Sequence, residues 1–437
     1  MKRDRKNQSE VICGNQLRMD IPEGLSYENL SCRLTGTTGN NERRIIPFTP
    51  EMLSKHLLLL GGIGTGKTNA FNGMISQLKA GLTEEDVMVI FDTKGDFYNA
   101  FYQDGDIVIS NDETATGPVE KDYWNLFNEV AADGRGVESI TEIAKMIFAE
   151  ACEKTNQVFF PNAARGIFEA CVYHFFQENP KYRSNYYLME FINSMTSREL
   201  REMLERYPRF RAMTSYISAD ESPQTQGVLS ELQRVCRDIF IGKFADVGGL
   251  SIRNLVKEKD GKTIFIEYDL SIGQALSPIY SMLFDLAIKE ALGRKRSSGN
   301  VYFITDEFRL LPYLQHIDDA VNFGRSLGVK FMIGLQNVEQ MYENYGEERA
   351  RSILSGFQSI IAFRLNDAKS REHVQGFFGK NRKLEAYIPM IQTKGMVEEN
   401  REGMVVEDWD ITQLKTGQAI VGLPEQEPFL FQFDVYE

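Results

Sequence analysis

The chain has 437 residues and few of the patterns that define several protein classes. It has five cysteines and no C-x-x-C pair, which excludes a disulfide-dense secreted fold and favours a reducing compartment. Its four histidines show no zinc-ligand spacing. No segment approaches the roughly 20 apolar residues of a membrane-spanning helix. No apolar stretch follows the polar N-terminal residues, so neither a span nor a signal peptide is predicted, and we expect a cytoplasmic protein.

Positive charge is also scarce. The chain carries 49 Lys and Arg residues against 62 Asp and Glu residues, which gives a net charge of −13. General attraction to nucleic acid or to an anionic membrane is therefore not predicted, and a polyanion would need a local basic surface. The composition, 42% hydrophobic and 25% charged, is that of a globular protein with room for two or three cores.

Continuous apolar runs of strand length occur in two parts of the chain. His56–Leu60, Val87–Asp92 and Asp106–Ser110 form the first group, with a helix-length segment after the first run that closes at Gly81. Such runs are typical of parallel strands buried on both faces. The second group comprises Thr263–Leu270, Val301–Glu307, Lys330–Asn337 and Ser359–Leu365, followed by Gln418–Leu423 and Pro428–Tyr436, which we interpret as edge strands.

Between the two groups the strand runs disappear and apolar residues recur at helical spacing. The sequence therefore predicts an α/β fold with a mainly parallel central sheet, interrupted by an inserted all-α domain. The predicted parts are a small β-rich lead-in (1–45), the first part of the α/β domain (46–130), an all-α domain (131–255) and the second part of the α/β domain (256–437).

The stretch GGIGTGKT follows the first apolar run directly. It matches G-x-x-x-x-G-K-[ST] between a strand and a helix, the context in which backbone N–H groups and a helix N-terminus hold phosphates. We expect Lys67 to reach the β- and γ-phosphates of ATP and Thr68 to bind Mg²⁺ through its hydroxyl. The predicted nucleotide-binding residues are Gly61, Gly62, Ile63, Gly64, Thr65, Gly66, Lys67, Thr68 and Asn69.

Hydrolysis requires acidic residues at the end of a neighbouring strand. The segment VYFITDE supplies Asp306, predicted to bind Mg²⁺ as a Walker B aspartate, and Glu307, predicted to be the general base for the attacking water. Asp92 ends another buried run and is the rival candidate, but no glutamate follows it. The alternative for Asp306 and Glu307 is that they begin a loop or cap a helix.

Two further positions complete the predicted catalytic set. Gln336, at the end of the next strand, is predicted to sense the γ-phosphate, and a purely structural amide is the alternative. Arg364 is the first candidate for an arginine that acts in a neighbouring subunit on the transferred phosphoryl group, and Arg371 is the second. An arginine that acts in trans implies a ring of subunits.

The motifs together resemble a known family. GGIGTGKT, VIFDTKGDFY, WNLF, FFPNAARGIF and most of the chain after GKFADVGGL are similar to successive landmarks of TraD/TraG-type, TrwB-like coupling ATPases of conjugation and type IV secretion, from about residue 45 onward. The resemblance implies a RecA-like P-loop NTPase domain, the nucleotide-binding domain (46–130 and 256–437), and an all-α substrate-recognition domain (131–255). It also implies a DNA-translocating motor, related to FtsK-like and HerA-like pumps, that is a homo-hexamer when active and a monomer in solution. Its implied partners are DNA, single-stranded as the first choice, and a relaxase or secretion-channel proteins.

One departure from the family is expected to matter. Its members begin with transmembrane helices, whereas the segment before the first motor strand is not apolar enough to span a membrane. We therefore expect a coupling protein without its own anchor. Three explanations are open: a separate anchor protein recruits it to the inner face of the membrane, it belongs to a soluble branch of the family, or it pumps DNA away from any membrane. The alternative function is an ATP-dependent receptor that docks protein substrates for secretion without moving DNA itself.

Overall fold

The computed structural model describes residues 9–111, 122–218, 222–293, 299–387 and 397–436. Its internal contacts divide the chain into two compact units. Unit 1 comprises Met1–Gly81, Thr305–Arg309 and Lys330–Glu437, and unit 2 comprises Leu82–Ile304 and Leu310–Val329.

The strands of the described residues are β1 (Ser9–Cys13), β2 (Cys32–Thr38), β3 (Arg43–Phe48), β4 (Leu57–Leu60), β5 (Val87–Asp92), β6 (Ile107–Ile109), β7 (Thr263–Glu267), β8 (Val301–Thr305), β9 (Val329–Leu335), β10 (Ser359–Ala362), β11 (Lys380–Tyr387), β12 (Val397–Met404), β13 (Gln418–Gly422) and β14 (Phe429–Phe433). Nine of them, β4 to β10, β13 and β14, follow the predicted apolar runs within a few residues, and the five others lie outside those runs.

The helices of the described residues are most frequent between β6 and β7. They are α1 (Pro50–Ser54), α2 (Lys67–Ala80), α3 (Asp96–Phe101), α4 (Leu126–Asp133), α5 (Val137–Ile147), α6 (Ala149–Glu153), α7 (Phe159–Gln177), α8 (Asn185–Ser194), α9 (Ser197–Arg206), α10 (Pro223–Ile239), α11 (Ile252–Glu258), α12 (Gly273–Leu292), α13 (Ile317–Phe323), α14 (Glu339–Tyr345), α15 (Glu347–Ser355), α16 (Ala368–Phe378) and α17 (Asp408–Thr412).

Seven strands of unit 1 are ordered β3-β2-β14-β13-β10-β4-β9. The strands β10, β4 and β9 are parallel, and all four residues of β4 are buried. Antiparallel pairs join β10 to β13, β13 to β14, β14 to β2 and β2 to β3. The prediction that β13 and β14 are edge strands is therefore wrong, because strands of the lead-in pair beyond them.

A second, three-stranded sheet of unit 1 has the order β1-β11-β12. Its strands pair antiparallel, and β11 and β12 carry many charged residues. Cross-strand ion pairs such as Lys380–Glu402, at 2.6 Å, form between them. These segments have no apolar run, so the strands β11 and β12 were not predicted.

Unit 2 contains the strands β8, β5, β7 and β6, in that order. The strand β7 is parallel to both β5 and β6, and every residue of β5 is buried. From Leu126 to Glu258 the described residues form helices α4 to α11 and no named strand. Because the contact division places these helices in the same unit as β5 to β8, the boundaries predicted at 131 and 255 stay a prediction.

Helix length and hydropathy were also compared with the needs of a membrane span. In the part of the chain that the structure describes, every helix falls short of the combination of length and apolarity that crossing a bilayer demands.

Candidate nucleotide site

The glycine-rich loop connects β4 to α2 within unit 1. The N–H of Gly61 donates to the carbonyl of Leu335 and that of Gly62 to the carbonyl of Arg364, both at 3.1 Å, so the loop begins at the ends of two parallel strands. It ends at Gly66, the N-cap of α2, which makes no side-chain capping bond. The first amides of α2 therefore point out of the helix at its positive end, the arrangement that binds phosphate.

Two glycines of the loop are required by its geometry. Gly66 has φ of 118°, in the region that residues with a side chain rarely adopt. At Gly61 the limit is space, since a Cβ would lie 2.6 Å from the Cβ of Phe363. The loop is also tied to a distant part of unit 1, because Gly417 donates its N–H to the carbonyl of Thr65 at 2.8 Å.

Lys67 is the first residue of α2 and is buried, with 8% of its surface exposed. Its Nζ donates to the carbonyl of Gly61 at 2.6 Å and to that of Gly62 at 3.2 Å. The ammonium is therefore placed against the backbone of the loop, where its charge is available to phosphate oxygens. Ile63, at the other extreme, is 84% exposed.

Asp306, which directly follows β8, meets the loop at Thr68. The hydroxyl of Thr68 donates a short hydrogen bond to Oδ2 of Asp306, although the two residues are 238 positions apart. A hydroxyl and a carboxylate side by side are the oxygen donors that Mg²⁺ prefers, and both residues fit the predicted metal site. Gly334 in β9 permits this approach, since a Cβ there would lie 2.4 Å from the carbonyl oxygen of Asp306.

Glu307 lies between two donors. Gln336 donates its Nε2 to Oε2 of Glu307 at 2.6 Å, and Arg309 donates its Nε to Oε1 at 2.8 Å. The carboxylate side chain is 17% exposed, so it is held in place without being closed off from water. The γ-phosphate sensing predicted for Gln336 stays a prediction, and this contact also fits the alternative of a structural amide.

Arg309 is a residue that sequence reasoning missed. It lies in a short 3-10 turn, Phe308–Leu310, and its carbonyl accepts a hydrogen bond from Nδ2 of Asn344 at 2.7 Å. The adjacent acidic residues Asp306 and Glu307 do not by themselves indicate that Arg309 turns back to contact Glu307. An E-x-R pattern after a buried strand is the signal that was available.

The rival carboxylate, Asp92, has a structural task within unit 2. Its Oδ2 accepts from the N–H of Tyr98 at 2.8 Å and its Oδ1 from the N–H of Lys94 at 3.3 Å. These bonds fix the first turn of α3. Burial raises the pKa of Asp92 in spite of them. The Asp92 carboxylate therefore accepts hydrogen bonds from backbone N–H groups at the start of α3. This is a structural role, the alternative to a role in Mg²⁺ binding.

The two candidate arginines differ in their surroundings. Arg364 follows β10, its side chain is exposed, and its carbonyl accepts the Gly62 N–H. Arg371 is engaged inside unit 1, because its Nε donates to Oδ1 of Asp408 at 2.5 Å and its Nη1 to the carbonyl of Asn366 at 2.6 Å. Of the two, Arg364 is the more exposed, and the role of either arginine in a neighbouring subunit stays a prediction.

The side chain of Asn69 is used for a different contact. Its Nδ2 donates to the carbonyl of Asp434 at 2.8 Å, and its Oδ1 accepts from the N–H of Tyr436 at 2.7 Å. The predicted role of Asn69 in nucleotide binding therefore rests on its backbone N–H in the first turn of α2.

With this geometry established, comparison with known proteins is decisive for the family. The family profile described as "Type IV secretion-system coupling protein DNA-binding domain" matches residues 43–430. The chain belongs to this coupling-protein family.

A curated relative of this coupling-protein domain is the coupling protein TraD of Escherichia coli strain K12. The two are 23% identical over 390 residues, which cover 87% of this chain and 51% of TraD. The chain thus spans about half the length of the curated relative it matches.

Solved structures show that the coupling-protein domain has the TrwB fold, a RecA-like P-loop NTPase with an inserted helical domain. Unbound TrwBdeltaN70 matches with a TM-score of 0.73 and 22% identity, over 90% of this chain and 88% of that one. Plasmid coupling protein TrwB in complex with ADP and Mg²⁺ matches with a TM-score of 0.72 and 20% identity, over 99% and 96%. VirB4 of Thermoanaerobacter pseudethanolicus is more distant, with a TM-score of 0.53 and 12% identity over 95% and 99%.

Proposed function

We propose that this coupling-protein domain hydrolyses ATP and uses the hydrolysis to move DNA, or a relaxase–DNA substrate, toward a type IV secretion channel. The observation that carries the proposal is the hydrogen bond between Thr68 and Asp306. It joins Asp306, the residue that follows β8, to the helix that begins at the glycine loop, and both residues belong to unit 1, as a nucleotide-hydrolysing site requires.

Binding of ATP with Mg²⁺ is supported by the donor set and by the relatives. The loop amides and Lys67 provide positive groups for the phosphates, and Thr68 with Asp306 provides oxygen ligands for the metal. Structures of TrwB have been solved with ADP and Mg²⁺ and with the ATP analogue ADPNP. When bound, Mg²⁺ would neutralise negative charge that develops on the phosphates.

The chain's own residues then divide the work of hydrolysis. Lys67 binds and orients the phosphates, and Glu307 accepts a proton from the attacking water. Gln336 and Arg309 hold the Glu307 carboxylate from its two oxygens. Arg364 supplies positive charge to the site of a neighbouring subunit in a hexameric ring.

DNA as the cargo is supported by the family, whose described domain is a DNA-binding one. The acidic chain, with its net charge of −13, restricts the contact to a local surface such as the lining of a ring. Binding through phosphates alone would be insensitive to sequence and would weaken as salt rises.

Two variants test hydrolysis. Lys67→Ala is expected to abolish both ATP binding and turnover, because it removes the charge placed against the loop. Glu307→Gln is expected to retain ATP binding and to lower turnover by about 100-fold or more, because an amide cannot accept the proton. Both are measured by steady-state phosphate release and by equilibrium nucleotide binding. Full turnover in Glu307→Gln would remove Glu307 as the base.

Coupling to DNA is tested by measuring ATPase activity without DNA, with single-stranded DNA and with double-stranded DNA. The mass of the protein in solution is measured under the same conditions. A motor is expected to be stimulated by DNA and to assemble with it. Turnover that ignores both kinds of DNA would instead support a receptor that docks protein substrates.

A further inference from the structure

The three-stranded sheet of unit 1 ends at β12, its outermost strand in the part of the chain that the structure describes. A groove of about 560 Å³ lies beside this strand. Its lining comes from β11, from β12 and from the turn and helix that follow β12. A strand edge with a groove along it is the arrangement that binds an extended peptide as an additional strand.

The pairing of β11 with β12 shows which backbone groups of β12 face outward. Val405 donates its N–H to the carbonyl of Gly379 at 3.0 Å, and one register runs along the whole ladder. In an antiparallel ladder such hydrogen-bonded pairs recur at every second residue. The N–H and C=O groups of Asn400 and Glu402 therefore point away from β11, toward the position of a further strand.

The two faces of β12 differ in chemistry. A Cβ on Gly403 would lie 3.2 Å from Oε1 of Glu407, the N-cap of α17, so this face is the one beside α17. Trp409 of α17 lines the groove and is 58% exposed, which leaves an apolar ring surface for a ligand. Glu402 lies on the other face, where its exposed carboxylate contacts Nζ of Lys380 at 2.6 Å.

We propose that β12 and this groove bind an extended peptide of a partner protein, which adds to the sheet as a fourth strand. Its main chain pairs with the outward groups of Asn400 and Glu402. Its side chains alternate between the two faces, so that a basic residue lies opposite Glu402 and an aromatic residue lies against Trp409. The inference goes beyond the proposed function and requires neither ATP nor DNA.

Charge decides which residues the added strand carries. The lysines of the groove are engaged by carboxylates, Lys380 by Glu402 and Lys383 by Glu407 at 3.2 Å. The Glu402 carboxylate can accept a further donor, and a basic residue directly opposite it stabilises the pairing, whereas an acidic one opposes it. On the other face Arg401 lines the groove, and a guanidinium is compatible with an aromatic neighbour. The net charge of −13 also favours a basic partner.

The test measures the fluorescence anisotropy of labelled peptides titrated with the full chain. The first probe, Thr-Arg-Phe-Arg-Phe-Arg-Phe-Thr, presents the alternating pattern whichever way the strand runs. The second, Thr-Arg-Arg-Arg-Phe-Phe-Phe-Thr, has the same composition and charge without alternation. The third is the first probe with N-methyl groups on its six central amides, which removes main-chain donors. We expect the first probe to bind at least tenfold more tightly than the other two.

Variants of two residues locate the contact. Glu402→Ala and Glu402→Pro both remove the carboxylate, but only the proline also removes the outward N–H, a change that edge strands tolerate. We expect the alanine to weaken binding of the first probe about threefold and the proline to weaken it about tenfold further. Trp409→Ala is expected to weaken it about tenfold and Trp409→Phe to leave it near the wild-type value. Thermal unfolding followed by circular dichroism checks that each variant folds.

The contrary outcomes are distinct. Equal binding of the three probes, or equal losses in the two Glu402 variants, would overturn strand addition. If no probe binds and Glu402→Pro lowers the mass of the protein in solution, the edge pairs with a second copy of the chain. If labelled oligothymidylate binds and Trp409→Ala abolishes that binding, the groove belongs to single-stranded DNA. Each of these results overturns the peptide site, and none of them bears on whether the glycine loop supports ATP hydrolysis.

Discussion

At the scale of single residues, the contact between Arg309 and Glu307 has a measurable consequence. Each carboxylate oxygen can accept a second hydrogen bond, so Arg309 and Gln336 orient Glu307 without preventing it from accepting one from water. We expect Arg309→Ala to lower kcat about tenfold by misplacing the base, with KM for ATP unchanged. Arg309→Lys should restore part of kcat. Steady-state kinetics measures both constants.

The control for Arg309 is Arg351→Ala, which removes an exposed helical ion pair with Glu347 and is expected to leave kcat unchanged. If Arg309→Ala instead raises KM for ATP and leaves kcat unchanged, the arginine supports nucleotide binding rather than the position of Glu307.

The contact between Asp306 and Thr68 predicts how the ATPase activity depends on Mg²⁺. If their contact marks the metal site, Asp306→Asn is expected to raise the Mg²⁺ concentration needed for half-maximal ATPase about tenfold or more, since an amide oxygen is a weaker ligand than a carboxylate. Titration of Mg²⁺ at fixed ATP measures the shift. A wild-type Mg²⁺ profile in the variant would place the metal on other residues.

At the scale of elements, a buried charge cluster joins four helices of unit 2. Glu142 of α5 contacts Arg253 of α11 at 3.1 Å and Lys289 of α12. It also lies 3.4 Å from His316, the N-cap of α13. The ring Nδ1 of His316 lies 2.9 Å from Oδ2 of Asp285. Burial opposes charge on His316, but the hydrogen bond to Asp285 and the charges of Asp285 and Glu142 raise its pKa.

The direction of that pKa shift predicts a pH dependence. A raised pKa in the folded protein means that protonated His316 adds stability below its unfolded pKa of about 6.5, and that this contribution is lost as pH rises through the folded value. We expect His316→Gln to reduce the free energy of unfolding more at about pH 5.5 than at about pH 8. Urea denaturation at the two pH values measures this. An equal loss at both would mean that charge on His316 does not contribute.

Some of the strands could be predicted from the sequence and others could not. The strands β4, β5, β8 and β9 were found because continuous apolar runs follow from burial on both faces. The strands β11 and β12 were missed because backbone pairing and ion pairs, rather than apolar periodicity, hold them. The placement of β13 and β14 was wrong because pairing partners from the lead-in cannot be read from local pattern.

For the site, motif spacing identified the loop and the two carboxylates, and the structure brings Thr68 and Asp306 into contact. The side-chain contact of Arg309 depends on a local turn, for which only the E-x-R pattern was a signal. The contacts of Asn69 are made with the segment after β14, more than 360 positions away, and no short motif encodes them. Their roles, like those of Gln336 and Arg364, stay predictions.

At the scale of the whole molecule, substitution of Arg364 tests whether subunits act together in a ring. Its exposed guanidinium follows β10, and we expect Arg364→Ala to lose most activity alone. Mixing it with Lys67→Ala subunits should restore part of the ATPase, because each Arg364→Ala subunit then keeps an intact glycine loop and receives an arginine from its neighbour. If the mixture is no more active than the two variants measured separately and added together, Arg364 does not act in trans.

The hydrogen bond between Gly417 and Thr65 has a consequence for biosynthesis. A ribosome that has just finished α2 has already translated the entire phosphate-binding motif, yet the N–H that holds Thr65 belongs to Gly417, 352 positions after it. Closing so long a loop is slow compared with local helix formation. Nascent chains should therefore acquire full affinity for nucleotide only after Gly417 has been translated and has paired with Thr65.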